Sequence, residues 1–330
     1  MTDTYLLIGA ENSPYSIKVR SYFRYKGIAH TWLKRSQAQT QYQQHAKLPL
    51  VPLVVTPDGQ GLQDSTPILE AMELRVPQPG VLPDDPVAAF VCVLLEEFAD
   101  EWGNKWMFHY RWARPVDQIA ASRRLVMDGM PAISDEQLVT GAAAIRERMV
   151  PRVWFVGSND VTSPQIEQSF ADMLVLLQRH LGTRQFLFGG RPSLADFALW
   201  GQIYNAAKDP TPAALIARHG AILQWLARLV DPTRDGPFES WASLAPTLEP
   251  LLADQVGALF LPWSDANARA IASGAEDFAT TLKGVTWQQK PQKYHARSLA
   301  ELRRKFAATA PDDALRALLT RTDCLRWLGA

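Results

Sequence analysis

The segment around Ser13 places a hydroxyl group at the start of a predicted helix. Ser13 directly precedes Pro14, and the sequence predicts a helix over residues 17–27 that ends at Gly27. The first N–H groups of a helix lack intrahelical partners and lie at the positive end of its dipole. Such a site, with a hydroxyl group beside these N–H groups, favours the thiolate form of a bound thiol group over the neutral thiol. A simple helix cap is the alternative role for Ser13.

A second candidate lies in the apolar run 48–55, which contains Val51 and Pro52. The run predicts a strand, and proline within it favours a position at the edge of a sheet. The turn signal at 57–59 then predicts a hairpin into a short strand over 61–63. An edge strand leaves N–H and C=O groups free to pair with an extended peptide. An edge proline without a ligand is the alternative.

A third candidate is the pair Asp64 and Ser65, which opens a predicted helix that runs to about Leu74. Ser65 is expected to be the N-cap, with Pro67 in the first turn. A helix N-terminus attracts a carboxylate, and the side chain of Asp64 suits a cation. Capping by Ser65 alone is the simpler interpretation.

The order of predicted elements is strand–helix–strand and then strand–strand–helix, after a first strand over 4–9 and a second over 30–33. A proline-rich stretch over 77–86 follows and marks a domain boundary. Helical periodicity then dominates, including a strong amphipathic helix over 164–181. Ser193 and Asp196 form a capping-box signature at the start of another helix.

This layout resembles the cytosolic glutathione transferases over residues 4–230. Four motifs carry the resemblance: S-P-Y-S-I-K-V-R at 13–20, V-P-L at 51–53, Q-D-S at 63–65 and G-G-R-P-S-L-A-D-F at 189–197. The first is similar to the serine-type bacterial members. The resemblance implies an α/β thioredoxin-like N-terminal domain, an all-α helical domain and extra C-terminal helices. We expect these to be residues 1–78, 87–230 and 231–330.

The resemblance also implies how glutathione, as co-substrate, would be bound. Ser13 would donate a hydrogen bond to the glutathione sulfur, with Ser16 as an alternative. Pro52 would follow a cis peptide bond, and the backbone of Val51 would pair with the cysteinyl unit. Asp64 and Ser65 would bind the γ-glutamyl end. The expected glutathione-binding residues are Ser13, Tyr15, Val51, Pro52, Asp64 and Ser65.

An aromatic cluster near residues 102–112 is the expected acceptor pocket. Trp102, Trp106, His109 and Tyr110 are spaced so that one helix face presents most of them. Stacked aromatic rings suit an apolar or aromatic electrophile. We therefore expect the pocket to contain Trp106, His109 and Tyr110, and Tyr15 is a further candidate. Ordinary core packing is the alternative.

The extension over 231–330 is expected to be helical, with helices near 247–260, 264–282, 298–308 and 311–328 and an irregular segment at 284–298. It would cover the acceptor site, widen a dimer contact or simply stabilise the fold. The last role is favoured.

The composition narrows the class of protein. Lys plus Arg and Asp plus Glu are both 34, so the zero formal net charge gives no support for nucleic-acid or membrane-surface binding. The two cysteines have no metal-type spacing, and we expect reduced thiols, no metal and no membrane span. The sequence predicts a cytoplasmic protein, and the resemblance implies a homodimer.

Three functions follow from these patterns. Glutathione conjugation or a related glutathione-dependent reaction leads. A thiol–disulfide reductase would need cysteine where Ser13 stands. A non-catalytic glutathione-binding or scaffold protein that retains the fold is the remaining alternative.

Overall fold

The computed structural model describes residues 4–130, 132–233 and 236–329. Its N-terminal elements are β1 Tyr5–Gly9, α1 Pro14–Lys26, β2 His30–Lys34, α2 Gln39–His45, β3 Leu53–Val55, β4 Gly61–Gln63 and α3 Ser65–Arg75. The strands form a four-stranded sheet in the order β2-β1-β3-β4. Strand β1 is parallel to β2, and β3 is antiparallel to both β1 and β4. The predicted α/β thioredoxin-like part is confirmed.

Helices cover both faces of this sheet. Neighbouring residues of a strand point to opposite sides, and in β1 and β3 the residues on both sides are apolar and buried. Leu7 and Val54 are paired across β1 and β3 and belong to the main core with the apolar residues of α1 and α3. Ile8 and Leu53, the next pair in the register, pack with Tyr42 of α2 on the other face. Helix α2 was not predicted from the sequence.

The strand expected over 48–55 is shorter than predicted. Only residues 53–55 form β3, because the chain reaches it through a bend at Val51 and a cis bond to Pro52. Proline at 49 and 52 also removes two N–H groups from any ladder. The backbone before β3 is thus left outside the sheet.

A large helical part follows the proline-rich stretch, which itself contains a second cis bond at Gln78–Pro79. Its helices are α4 Pro86–Phe98, α5 Asn104–Ala113, α6 Pro115–Gly129, α7 Asp135–Met149, α8 Ser163–Leu181, α9 Leu194–Ala206, α10 Pro210–Ile216 and α11 Gly220–Arg228. A π-helical segment, Ala99–Gly103, joins α4 to α5, and a 3₁₀ helix, Val150–Val156, follows α7. None of the helices in the described ranges is long and apolar enough to cross a membrane.

The predicted capping box is present and fixes the start of α9. The Ser193 hydroxyl accepts the Asp196 N–H at 3.3 Å, and the Asp196 carboxylate accepts the Ser193 N–H at 2.9 Å. Further along α9, Gly201 lies so close to α1 that an added Cβ would be 2.6 Å from the Pro14 carbonyl oxygen. This close approach seats the N-terminus of α1 against the helical part.

The C-terminal extension is helical, as predicted, but it also contains a β-hairpin. Its elements are α12 Trp241–Leu251, a π-helical segment Leu252–Phe260, α13 Leu261–Ser273, β5 Phe278–Leu282, β6 Val285–Gln289, α14 Lys293–Ala308, α15 Asp313–Arg321 and α16 Leu325–Leu328. The predicted helix over 264–282 is therefore wrong beyond residue 273, and the segment at 284–298 is not irregular. The left-handed residues Lys283 and Gly284 provide the two-residue turn of the hairpin.

The extension packs on α4 and on α3, the helix that begins within the Q-D-S motif. Phe306 of α14 lies 5.2 Å from Phe90 of α4, measured between ring centroids. Lys305 forms an ion pair with Glu70 of α3 at 2.6 Å. Helix α14 is thereby fixed to both α3 and α4.

Unfolding free energy is expected to depend on pH through His180 of α8. Its Nε2 donates to the Leu187 carbonyl at 2.8 Å and its Nδ1 contacts the Thr247 hydroxyl at 2.7 Å, and the ring is fully buried. Burial lowers the pKa of His180 from 6.5 to about 4. Because the unfolded chain then binds more protons, this contribution is fully present above about pH 6.5 and is lost as pH falls towards 4.

The expected loss is on the order of 3 kcal/mol between about pH 7 and about pH 4. Urea unfolding at several pH values should show a flatter dependence for His180→Gln than for the wild type. Gln43→Ala, at an exposed residue of α2 that does not titrate, is the control and should keep the wild-type slope. Equal slopes for wild type and His180→Gln would contradict the assignment.

Candidate functional site

Ser13 lies at the N-cap of α1, as predicted, and faces a cavity. Its backbone is extended, and its Oγ accepts the Ser16 N–H at 3.2 Å. Within the described residues no acceptor takes the Ser13 O–H, so this proton is free to be donated to a ligand. Ser13 lines a cavity of about 600 Å³, here called the Ser13 cavity.

The neighbouring hydroxyl groups are placed differently. Ser16 is fully buried, and its Oγ has no hydrogen-bond partner among the described residues. The Tyr15 hydroxyl donates to the Asp100 carbonyl at 2.9 Å. Burial and the nearby Asp100 charge raise the pKa of Tyr15 well above its usual value, so it stays a neutral phenol. Of the three, Ser13 alone combines contact with this cavity and a free O–H.

A second cavity, of about 420 Å³ and here called the Asp64 cavity, adjoins the first. Tyr15 and Val51 line both cavities, and Pro52 and Asp64 line the second. The Val51–Pro52 bond is cis, as the resemblance implied. No hydrogen bond within the described residues uses the Val51 N–H or C=O. A free stretch of backbone thus runs along the wall that the cavities share.

Asp64, and not Ser65, occupies the N-cap position of α3, so the expectation of a Ser65 cap is wrong. Asp64 has a left-handed backbone with φ of 80°, and no side chain of the described chain caps this helix. Ser65 is the first helical residue, and its buried hydroxyl lies 3.5 Å from the Asp100 carboxylate. The first N–H groups of α3 therefore remain free for an anion.

A buried charge cluster underlies these motifs and joins three helices. Lys18 of α1 contacts Glu96 at 2.5 Å, Asp100 at 2.6 Å and the Thr66 hydroxyl at 3.2 Å. Burial lowers the pKa of Lys18, but the carboxylates of Asp100 and Glu96 outweigh burial and raise it. Burial raises the pKa of Asp100, and Lys18 opposes that shift. The cluster holds α1, α3 and α4 together beneath the cavities.

The aromatic pocket expected on α5 is not formed by the residues predicted for it. Trp106, His109 and Tyr110 line neither cavity and are at most 2% exposed. Trp106 donates to the Ser169 hydroxyl at 3.0 Å and packs on Phe170 of α8. This face of α5 points into the core, which is the alternative that the sequence left open.

His109 is held in place by two hydrogen bonds rather than facing a ligand. Its Nε2 lies 2.9 Å from Glu167 and its Nδ1 lies 2.8 Å from the Ser158 hydroxyl. Burial lowers the pKa of His109, with Glu167 opposing. The opposite face of α5 lines both cavities through Asn104 and Phe108, a pair spaced by four residues. That spacing is the signal that could have identified them.

Sequence reasoning also missed the outer wall of the Asp64 cavity. Residues from two segments far along the chain complete it: Met149, Arg152, Phe155, Val156, Gln292, Tyr294 and His295. The last three belong to the extension. No local pattern joins them to the motifs near the N-terminus.

Two family models match the chain. The model described as Glutathione S-transferase, N-terminal domain matches residues 12–75, and the model described as Glutathione S-transferase, C-terminal domain matches residues 143–228. The chain belongs to the glutathione transferase superfamily. The first match contains the three N-terminal motifs that line or adjoin the cavities, and the second contains the capping box of α9. No curated protein matches the sequence.

Solved structures similar to this superfamily member come from several bacteria. A glutathione S-transferase from Methylobacterium radiotolerans, in complex with glutathione sulfonate, is 21% identical with a TM-score of 0.41 and covers 74% of this chain and 94% of its own. A glutathione S-transferase from Methylobacillus flagellatus with glutathione bound is 19% identical with a TM-score of 0.41. The match covers 68% of this chain and 93% of the other. A GST-like protein from Pseudomonas syringae is 16% identical with a TM-score of 0.45. The match covers 75% of this chain and 74% of the other.

Within the described residues of this superfamily member, no group of three or more His, Cys, Asp and Glu side chains could hold a metal ion. Cys92 and Cys324 are both buried free thiols. Burial raises the pKa of each thiol to about 12. Both side chains are therefore poor nucleophiles.

Proposed function

We propose that this protein is a glutathione transferase that binds glutathione across the wall shared by the two cavities. The observation that carries the proposal is the free O–H of Ser13, which faces a cavity at the N-terminus of α1. This group stands beside the unpaired backbone of Val51 and the cis bond to Pro52. A peptide that pairs with Val51 would place its cysteine near Ser13.

Ser13 would act by stabilising the glutathione thiolate. Its Oγ already accepts the Ser16 N–H, so the remaining O–H can donate to the sulfur. The positive end of the α1 dipole favours the same anionic form. A free thiol has a pKa of about 8.5, and such surroundings lower it by about one unit or more. The thiolate would be the nucleophile, and Ser13 would form no covalent bond.

The γ-glutamyl end of glutathione would lie at the start of α3. Its carboxylate suits the unpaired N–H groups at Ser65, because no described side chain caps this helix. Its ammonium group suits the carboxylate of Asp64, which lines the cavity. Ser65 would contribute through its backbone, since its hydroxyl is buried against Asp100.

The acceptor would be an apolar or aromatic electrophile. Leu50, Phe108 and Met149 line both cavities, so apolar side chains surround the region next to Tyr15. Burial of an apolar body against them would hold it close to the thiolate. Tyr15 remains in the proposed pocket, and Phe108 takes the place of Trp106, His109 and Tyr110.

The proposal is tested by the ultraviolet absorbance of the bound thiolate together with turnover of a generic aryl halide. Titration of the complex with base should give a pKa for the bound glutathione thiol that is at least about one unit below the pKa of the free thiol. Glutathione-dependent turnover should accompany it. Binding without a lowered thiol pKa and without turnover would favour the non-catalytic, glutathione-binding alternative.

The assembly and location follow as further parts of this proposal. A cytoplasmic homodimer is expected, in which each protomer carries its own Ser13 and Asp64 cavities. Light scattering of the purified protein should give twice the chain mass of 36.8 kDa. A mass of one chain would contradict the dimer and leave the site unchanged.

A further inference from the structure

The C-terminal extension reaches the cavity where the γ-glutamyl end of glutathione is proposed to lie. Gln292, Tyr294 and His295 line the Asp64 cavity together with Val51 and Asp64. These extension residues lie in the first turn of α14 or immediately before it. The extension is therefore part of a cavity wall, in addition to packing on α3 and α4.

Tyr294 makes a direct contact with Asp64. Its hydroxyl donates to the Asp64 Oδ2 at 2.9 Å. Within the described chain, the other carboxylate oxygen, Oδ1, takes no hydrogen bond. Although the residue as a whole is half exposed, partial desolvation of its hydroxyl group and the charges of Glu101 and Asp64 raise the pKa of Tyr294, so the hydroxyl keeps its proton and remains a donor. The contact fixes one oxygen of Asp64 and leaves the other for a ligand.

Neighbouring contacts hold Tyr294 in position. The Nδ1 atom of His295 makes a hydrogen-bond contact with the Glu101 carboxylate of the π-helical segment, and its ring lies 4.9 Å from that of Trp263 in α13. Further along α14, Lys305 is paired with Glu70 of α3. Because α14 contacts the π-helical segment and α13 at its start and α3 further along, the Tyr294 hydroxyl meets Asp64 in a defined place.

Asp64 has an uncommon backbone conformation, and its carboxylate is not oriented by the helix that it precedes. Its φ of 80° lies in the left-handed region, which is uncommon for a residue with a side chain. The carboxylate makes no capping bond to α3, so α3 itself does not orient it. Tyr294, 230 residues away in sequence, supplies the orienting hydrogen bond.

We propose that Tyr294 is a positioning residue for glutathione, which orients the Asp64 carboxylate so that Oδ1 receives the ammonium group of the γ-glutamyl unit. This inference rests on the proposed function. It assigns the extension a part in recognising the ammonium end of the tripeptide. Tyr294 itself does not touch the reacting sulfur.

The test is a calorimetric titration of the full chain, wild type and Tyr294→Phe, with two ligands. The first ligand is glutathione, and the second is a glutathione analogue in which hydrogen replaces the γ-glutamyl ammonium group. Tyr294→Phe should raise the dissociation constant for glutathione about tenfold. The Asp64 carboxylate, no longer oriented by Tyr294, would lose its hydrogen bond to the charged ammonium group of glutathione. The same variant should bind the analogue as the wild type does.

Tyr294→Phe removes one oxygen from a side chain that is 53% exposed, so the fold should be unaffected. Tyr204→Phe is the matched control, since Tyr204 lies on α9 and lines neither cavity. Asp64→Asn should weaken glutathione binding and abolish the further effect of Tyr294→Phe. The double variant therefore reports on the coupling between the two residues.

Two results would overturn the inference alone. One is wild-type affinity of Tyr294→Phe for glutathione, and the other is an equal loss of affinity for glutathione and the analogue, which would show a general covering role. Absence of heat when the wild type meets glutathione would instead remove the proposed function, and this inference with it.

Discussion

Ser13→Ala is expected to lower kcat/KM for glutathione-dependent turnover of an aryl halide on the order of 100-fold. The variant removes the free O–H that faces the Ser13 cavity and leaves the other walls intact. Loss of one hydrogen-bond donor to a developing or stabilised anion typically costs 10²–10³-fold in rate. Glutathione affinity should change only about threefold, because the backbone and the γ-glutamyl contacts do not involve this hydroxyl.

The loss of the helix cap must be separated from the loss of the donor. Ser13 caps α1, so alanine is also expected to cost about 1 kcal/mol of unfolding free energy. Ser13→Asp keeps a group that accepts the Ser16 N–H but has no proton to donate at neutral pH. It should recover stability and remain inactive.

Ser16→Ala serves as the second control, because Ser16 is fully buried and lines neither cavity. Its turnover should match the wild type. Steady-state kinetics with saturating acceptor measure the glutathione-dependent turnover of Ser13→Ala, Ser13→Asp and Ser16→Ala. Wild-type turnover in Ser13→Ala would show that the serine is not the donor to the thiolate.

Lys18→Met is expected to lower the unfolding free energy by about 3–5 kcal/mol. Lys18 is buried and provides the positive charge for Glu96 and Asp100, which are buried as well. Removing one partner of a buried ion pair leaves an uncompensated charge, and this is the costly change. The Glu96 Oε2 and Asp100 Oδ1 already lack hydrogen-bond partners among the described residues, so loss of Lys18 would leave both buried carboxylates with still fewer contacts.

Denaturant unfolding at neutral pH measures this effect. Lys290→Met, at an exposed lysine before α14, is the control and should change stability by less than about 0.5 kcal/mol. Combining Lys18→Met with Glu96→Gln and Asp100→Asn should recover part of the loss, since neutral amides need no counter-charge. A loss below about 1 kcal/mol in Lys18→Met would contradict the role of the cluster.

Local signals predicted the elements that present the N-terminal motifs. The Ser13 cap, the Gly27 end of α1 and the capping box of α9 all appear in the structure as the sequence indicated. Each depends on residues within a few positions of one another, so chain-local chemistry determines it. The same holds for β1, β2 and β4, whereas β3 is shorter than its apolar run predicts.

The extension was harder to predict because its strongest signals compete. The segment over 264–282 begins with helical periodicity, and the only local signal for its end is Gly274, which caps α13 four residues before β5 begins. A Lys–Gly turn joins β5 to β6, which is a weaker hairpin signal than Asn–Gly. The π-helical segments also have no simple sequence signature.

The site was predictable only where its residues are close in sequence. Aromatic residues on α5 pointed to a pocket, yet large apolar side chains pack cores as readily as they line cavities. Phe108 lines both cavities, whereas Trp106, two positions away, lies on the core face of the same helix. The contact of Tyr294 with Asp64 joins residues 230 positions apart, and only the packing of α14 brings them together.

A crystal structure of the protein with glutathione bound tests the central claim most directly. The account predicts the glutathione sulfur within about 3.5 Å of the Ser13 Oγ, and the cysteinyl backbone paired with Val51. The ammonium group should contact the Asp64 carboxylate. A tripeptide bound elsewhere, or one whose sulfur points away from Ser13, would contradict the account.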